Sequence, residues 1–71
     1  MNGLEKIEQA FQPTNRGRIY HLVIQDTERK LIEKALEESG GNQLLAAKVL
    51  GLNRNTLRSK IRRLNIVVQK H

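Results

Sequence analysis

Between Asn53 and Leu64 the chain carries Arg54, Asn55, Thr56, Arg58, Ser59, Lys60, Arg62 and Arg63, a run of hydrogen-bonding and cationic side chains. Read as a helix at about 100° per residue, the segment puts Leu57, Ile61 and Leu64 on one seam, spaced i, i+4, i+7. Asn55, Ser59 and Arg62 then lie most nearly opposite, Arg58 and Arg63 flank that face, and Arg54 and Thr56 occupy the first turn. Arginine can pair bidentately with guanine and asparagine with adenine, and the positive end of a helix favours phosphate. These side chains therefore suit base edges and a phosphate backbone. A merely solvated helix face holds the same residue types, so the face alone does not decide.

Charge placement does. Residues 1–40 hold six Lys/Arg and seven Asp/Glu, a net of −1, whereas residues 41–71 hold seven Lys/Arg and no acid, a net of +7; together they give the +6 of the chain. A surface selected for solubility alone mixes its signs. An acid-free segment of 31 residues is built to meet a polyanion.

The elements that would position this face are legible just upstream. Asn42 can cap a short helix by accepting from first-turn amides, and Leu44, Leu45, Ala47, Val49 and Leu50 supply its expected apolar stripe. Gly51 tolerates the left-handed backbone that ends a helix, Leu52 can fold back as the contact after the stop, and Asn53 can cap the next helix. Ala46 and Ala47 are small enough for the second helix to cross close by. Two helices joined by so short a turn outline a helix-turn-helix over residues 42–65.

Further upstream, LEKIEQAF at 4–11 places Leu4, Ile7 and Phe11 on one face of a short amphipathic helix. Pro13 and the turn formers around it make 12–17 a connection. RIYHLVI has the β-branched and aromatic content of a strand, yet Tyr20, Ile24, Thr27, Leu31 and Ala35 recur at helical steps and Leu22, Ile32 and Leu36 add a second strip. The spacing predicts one helix over 19–39, roughly 30 Å long, stopped at Gly40-Gly41. Shorter helices cannot cover both strips. The leftover apolar surface marks an interface, which makes this helix the expected spine of a homodimer; closure of a monomeric three-helix core is the competing reading. Glu28, Glu33, Glu37 and Glu38 read as surface ion-pairing partners of Arg29, Lys30 and Lys34. After Leu64, Asn65 can stop the last helix, Ile66 can tuck beneath it, and Val67 to His71 are expected to fray.

Length and composition bound the rest. Seventy-one residues make one all-α domain with a core of marginal size, for which oligomerisation is the expected stabiliser. With no cysteine, and with His21 and His71 far apart, no disulfide, thiolate metal site or cofactor is expected. Two aromatic residues, Phe11 and Tyr20, are too few for base-stacking recognition of single strands. No apolar run approaches a membrane span, and Met1-Asn2-Gly3 opens onto a charged helix, so a cytoplasmic, nucleoid-associated protein is expected.

The run TERKLIEKALEESGGNQLLAAKVLGLNRNTLRSKIRRLNI resembles the Fis-type DNA-binding domain that closes NtrC-type, enhancer-binding transcriptional activators, and YHLVIQDTERKLIE is similar to the long dimerising helix of Fis. The likeness covers residues 20–66, and its most specific part is GGNQ followed by AA, LG and NRNTLR. It implies a homodimer whose first two helices from each subunit form a four-helix bundle, with Leu4, Ile7, Phe11, Tyr20, Ile24, Thr27 and Leu31 at the interface. A recognition helix on each side would enter successive major grooves of a near-palindromic, bent site. By the resemblance, Asn53, Arg54, Thr56, Arg58 and Lys60 stand at DNA-contacting positions of the recognition helix, and Asn42 and Gln43 where the preceding helix touches the backbone; Asn55, Ser59 and Arg62 join them from the wheel. Ser59 occupies a place often held by Lys, and Leu44 one often held by a small polar residue. The first helix is shorter than in Fis and no hairpin arm precedes it, which speaks against a recombination-enhancer role.

Activators of this type carry receiver and ATPase domains, as in two-component systems. The chain has no G-x-x-x-x-G-K-[ST] phosphate loop; the expectation is the DNA-binding domain of a larger activator, with a free-standing Fis-like, DNA-bending protein as the alternative. A basic helical adaptor that meets an acidic protein or membrane surface is a third reading. No nucleophile and base stand in a catalytic arrangement, so no enzyme is expected.

Overall fold

A computed structural model of the chain describes residues 3–68; Met1, Asn2 and part of the expected frayed end, residues 69–71, lie outside them. Four α-helices follow one another: α1 (Gly3–Ala10), α2 (Ile19–Glu38), α3 (Gln43–Leu50) and α4 (Arg54–Arg63), with a 3₁₀ turn at Pro13–Asn15 between the first two. The described residues contain no strand. The strand-like composition of Ile19–Ile24 is overridden because a single strand there would leave its backbone groups unpaired, whereas a helix satisfies them within the segment.

Three helix ends are closed by one device. Gly41 N–H donates to Leu36 C=O (2.8 Å) and Gly40 N–H to Glu37 C=O (3.2 Å) after α2. Leu52 N–H donates to Ala47 C=O (2.8 Å) and Gly51 N–H to Lys48 C=O (3.2 Å) after α3. Ile66 N–H donates to Ile61 C=O (3.0 Å) and Asn65 N–H to Arg62 C=O (3.3 Å) after α4. Each pair is the double bond of a Schellman stop, which requires a left-handed residue at its corner. Gly40, Gly51 and Asn65 supply it at φ 63°, 75° and 55°, and asparagine is among the few non-glycine residues that tolerate the region.

The core sits entirely in the C-terminal part. Ile32, Ala35 and Leu36 of α2, Ala46 and Ala47 of α3, Leu57, Ile61 and Leu64 of α4, and Ile66 after it are buried, with Leu50, Leu52 and Val68 packed against them. Leu57 at 0% exposure and Leu64 at 2% are the central plugs. The methyl side chains of Ala46 and Ala47, at 0% and 1% exposure, let α4 approach close to α3, as their size foretells. Ile66 tucks under α4 as expected. Val68 is half-buried rather than frayed, because it continues the same apolar layer.

Two expectations about which apolar residues face inward are corrected. Leu44, Leu45 and Val49 are not core residues, standing 47%, 46% and 59% exposed. The inward face of α3 is Ala46, Ala47 and Leu50; at about 100° per residue these three share one side, and Leu45 falls opposite it. Ala35, grouped with Tyr20, Ile24 and Leu31, belongs instead to the core stripe of Ile32 and Leu36. The rest of that strip is open: Tyr20 is 79%, Ile24 41% and Leu31 55% exposed.

No residue of α1 is buried among those described. Lys6 Nζ reaches Asp26 Oδ2 on α2 at 3.0 Å, and Asn15 Nδ2 donates to Ala10 C=O at 3.1 Å at the end of α1. Leu4, Ile7 and Phe11 remain 66%, 42% and 63% exposed. Ile7 lines one groove with Leu31 of the open strip of α2, on the half of the molecule that lacks a core. No helix among the described residues is long and apolar enough to cross a membrane.

Candidate nucleic-acid interface

The presentation of α4 begins with the turn of Gly51, Leu52 and Asn53. Asn53 Oδ1 accepts from Asn55 N–H at 2.8 Å, and its own C=O accepts from Leu57 N–H at 3.0 Å, so this residue is first of all the cap of α4. Asn42 plays the same part for α3, its Oδ1 accepting from Leu45 N–H at 3.1 Å. Both caps are exposed, and each leaves its side-chain amide NH₂ to donate elsewhere.

With Leu57, Ile61 and Leu64 committed to the core, the opposite side of α4 has nothing to pack against. Arg54, Asn55, Thr56, Arg58, Ser59, Arg62 and Arg63 are all exposed. Arg54 and Arg58, one helical turn apart, line a cleft whose other wall is Gly41, Asn42, Gln43 and Leu44 at the start of α3. The fold thereby brings together two guanidinium groups and the amide-rich positive end of a second helix. That is a combination suited to a phosphate oxygen. Gln43, half-buried, stands at the rim of the same cleft.

Lys60 is set apart from these residues. Its Nζ is hydrogen-bonded to Glu28 Oε2 of α2, and both side chains are 25% exposed. At about 100° per residue Lys60 falls beside Leu57 and Leu64, on the flank turned toward α2 and apart from the exposed face of Asn55, Ser59 and Arg62. Arg63 lies on that flank too, one guanidinium nitrogen 3.9 Å from Glu28 Oε1. Next to Glu28, Arg29 Nη2 donates to Leu64 C=O at 2.9 Å, satisfying a carbonyl that the end of α4 leaves free.

Glu28 and Arg29 are the residues the sequence reading missed, having been assigned to pairing along α2. Along α2, Lys34 pairs with Glu38 at 3.7 Å, as expected, and Lys30 pairs with Asp26 at 3.2 Å, both i,i+4. Glu28 precedes Ile32 by four residues and Ala35 by seven, the spacing of the buried stripe, and that spacing was the available signal. The hydrogen bond from Lys60 holds the Glu28 carboxyl below its ordinary value of 4.5 against the opposing effect of burial, with further attraction from Lys60, Arg63 and His21.

A compact trio of helices with a capped, cationic fourth-helix face set across a short turn defines a helix-turn-helix DNA-binding domain. Residues 23–64 match the family described as "Bacterial regulatory protein, Fis family", and the chain belongs to that family. It is 54% identical over 50 residues to the DNA-binding transcriptional regulator NtrC of Azospirillum brasilense, a stretch that is 70% of this chain and 10% of that protein. A Ralstonia nicotianae protein whose name describes it as Fis-like and DNA-binding is 47% identical over 60 residues, 84% of this chain and 78% of its own length. The DNA-binding protein Fis of Buchnera aphidicola is 40% identical over 47 residues, 66% of this chain and 48% of that protein. The chain thus spans about a tenth of the length of the NtrC relatives it matches, 10% and 11%. No solved structure gives a significant match.

Proposed function

We propose that the chain binds double-stranded DNA in a sequence-specific manner as a homodimer, with α4 in the major groove, and anchors an NtrC-type activator at enhancer sites. One observation carries the reading: Arg54, Asn55, Thr56, Arg58, Ser59 and Arg62 of α4 stand exposed, while Leu57 and Ile61 on its other side are buried in the core. Arg54, Asn55, Arg58, Ser59 and Arg62 then read base edges or flank them, Thr56 meets the backbone, and Asn42, Gln43 and Asn53 add donors at the helix starts. No cofactor is needed for this and no chemistry is performed on the DNA. The exposed apolar side chains Leu4, Ile7, Phe11, Tyr20, Ile24 and Leu31, with the exposed Thr27, support the dimer, because so much open apolar area on a chain of this size suits an interface.

In the activator reading the partners also include ATPase and receiver domains on the same polypeptide, and the protein works in the cytoplasm on the nucleoid. A second reading is favoured by one comparison, the coverage of 78% of the Ralstonia protein: a free-standing Fis-like protein that bends DNA. An antibody to this domain separates the two, since the free-standing protein migrates near 8.2 kDa and an activator at several times that mass.

Selection of bound duplexes from a random pool at physiological salt tests the shared core of both readings. A two-fold symmetric consensus is expected. Recovery of no consensus, or of a single asymmetric half-site, overturns base reading by a dimer.

A further inference from the structure

Two consecutive residues of α2 grip the end of α4. Glu28 takes Lys60 and Arg63 through its carboxylate, and Arg29 takes the Leu64 carbonyl. They join elements 32 and 35 residues apart in sequence, whereas Lys30–Asp26 and Lys34–Glu38 lie within one helix; Lys6–Asp26 also joins two helices but is more open, at 33% and 43% exposure. The Glu28–Lys60 pair, 25% exposed on each side, is the least exposed ion pair among the described residues. Exposed pairs contribute little and are screened by salt; a half-buried charge that has lost part of its hydration holds its partner more firmly.

The consequence concerns how DNA is discriminated. A lysine free to reach a phosphate strengthens binding to every sequence alike, because phosphate contacts position a protein without reading bases. The α2 helix that holds Lys60 also carries the open strip of Ile24 and Leu31, so the grip relates the rotation of α4 to the surface through which two copies would meet. We propose that Glu28 is a positioning and specificity residue of the DNA face: it withholds Lys60 from the phosphate backbone and, with Arg29, fixes the rotation of α4 on α2. The inference rests on the reading of α4 as the DNA-docking helix.

The test compares the 71-residue chain with E28Q, K60M, E28Q/K60M and R58A. Each is titrated against salt on a duplex bearing the selected consensus and on a scrambled duplex of equal length. E28Q frees Lys60, whereas Arg63, 3.9 Å from Glu28 and 59% exposed, is open to a phosphate already; the slope of log K against log[salt] on the scrambled duplex therefore steepens by about 0.9 per protomer and its affinity rises roughly three- to tenfold at low salt. The ratio of consensus to scrambled affinity falls. K60M alone leaves the slope as it was, and in the K60M background E28Q no longer steepens it, which a general loss of negative charge would still do. The proposal is overturned if K60M flattens the slope as much as R58A does, since Lys60 would then already be on a phosphate. It is equally overturned if E28Q acts the same with and without Lys60, or lowers affinity for both duplexes in step. Should E28Q fail to fold, the K60M and R58A slopes decide by themselves. R58A separates this inference from the reading beneath it: if R58A weakens binding and E28Q changes nothing, only the inference falls, and if R58A leaves both duplexes bound as before, the reading of α4 falls with it.

Discussion

Replacing Leu57 with alanine removes the side chain on which α2, α3 and α4 converge. Leu57 is 0% exposed and its neighbours in the core include Ala46 and Ala47, themselves 0% and 1% exposed. Loss of three buried carbons at about 0.8 kcal/mol each gives about 2.4 kcal/mol of transfer energy. The cavity adds to this, because alanine side chains have no rotamers with which to fill the gap; the expected total is about 3 to 4 kcal/mol, within the range of other buried leucine truncations. A domain of this length is stable by roughly 4 to 10 kcal/mol, so L57A takes a large share of it. Urea unfolding followed by circular dichroism measures the change, which should appear as a lower midpoint at unchanged slope. Val49→Ala, on the same trio of helices but 59% exposed, serves as the control and should cost about 0.5 kcal/mol or less. A loss below about 1 kcal/mol for L57A, or one no larger than that of V49A, would refute the packing of α4 on which its exposed face depends.

Arg58→Ala should weaken binding to the selected consensus by about 1 to 3 kcal/mol, roughly 5- to 150-fold, and relax preference at one base position; equal losses on consensus and scrambled duplexes would place Arg58 on phosphate only. Ile24→Glu puts a charge into the open strip of α2, and sedimentation should find it monomeric at concentrations where the parent chain is dimeric, with the melting temperature of the parent rising with concentration and that of I24E not. The Glu28 carboxyl titrates lower in the folded chain than its ordinary value of 4.5, chiefly through the Lys60 hydrogen bond. Its contribution to stability is therefore complete above that value and is lost as pH falls through the lowered one. The stability gap between the parent chain and E28Q should close over that acid range, as read by thermal melts at successive pH values; a gap that instead opened on acidification would contradict the sign.

Much of this architecture could be read before the structure. The caps Asn42 and Asn53, the stops at Gly40, Gly51 and Asn65 and the Leu57, Ile61, Leu64 seam are local features, set by backbone sterics and hydrogen bonds between residues a few positions apart. They survive into the fold because nothing distant competes with them. What was misread depends on distant partners. Leu44, Leu45 and Val49 look like core by type, but two alanines form the contact face because α4 needs close approach there. Glu28 and Lys60 both look like surface charges, since neither residue type reveals that its neighbour is 32 positions away. The open face of α4 was legible as an inventory of donors, whereas the cleft that joins it to the start of α3 comes only from the crossing of the two helices.

The central claim is that the polar side of α4, together with the start of α3, is what touches duplex DNA. Backbone amide chemical shifts followed by NMR, as a duplex bearing the selected consensus is added to the chain, test it most directly. The account predicts that the largest changes fall on Asn42–Leu44 and Arg54–Arg62, with Leu4–Phe11 and Tyr20–Leu31 little moved. Changes concentrated on α1 and the first half of α2, with α4 unmoved, would contradict it.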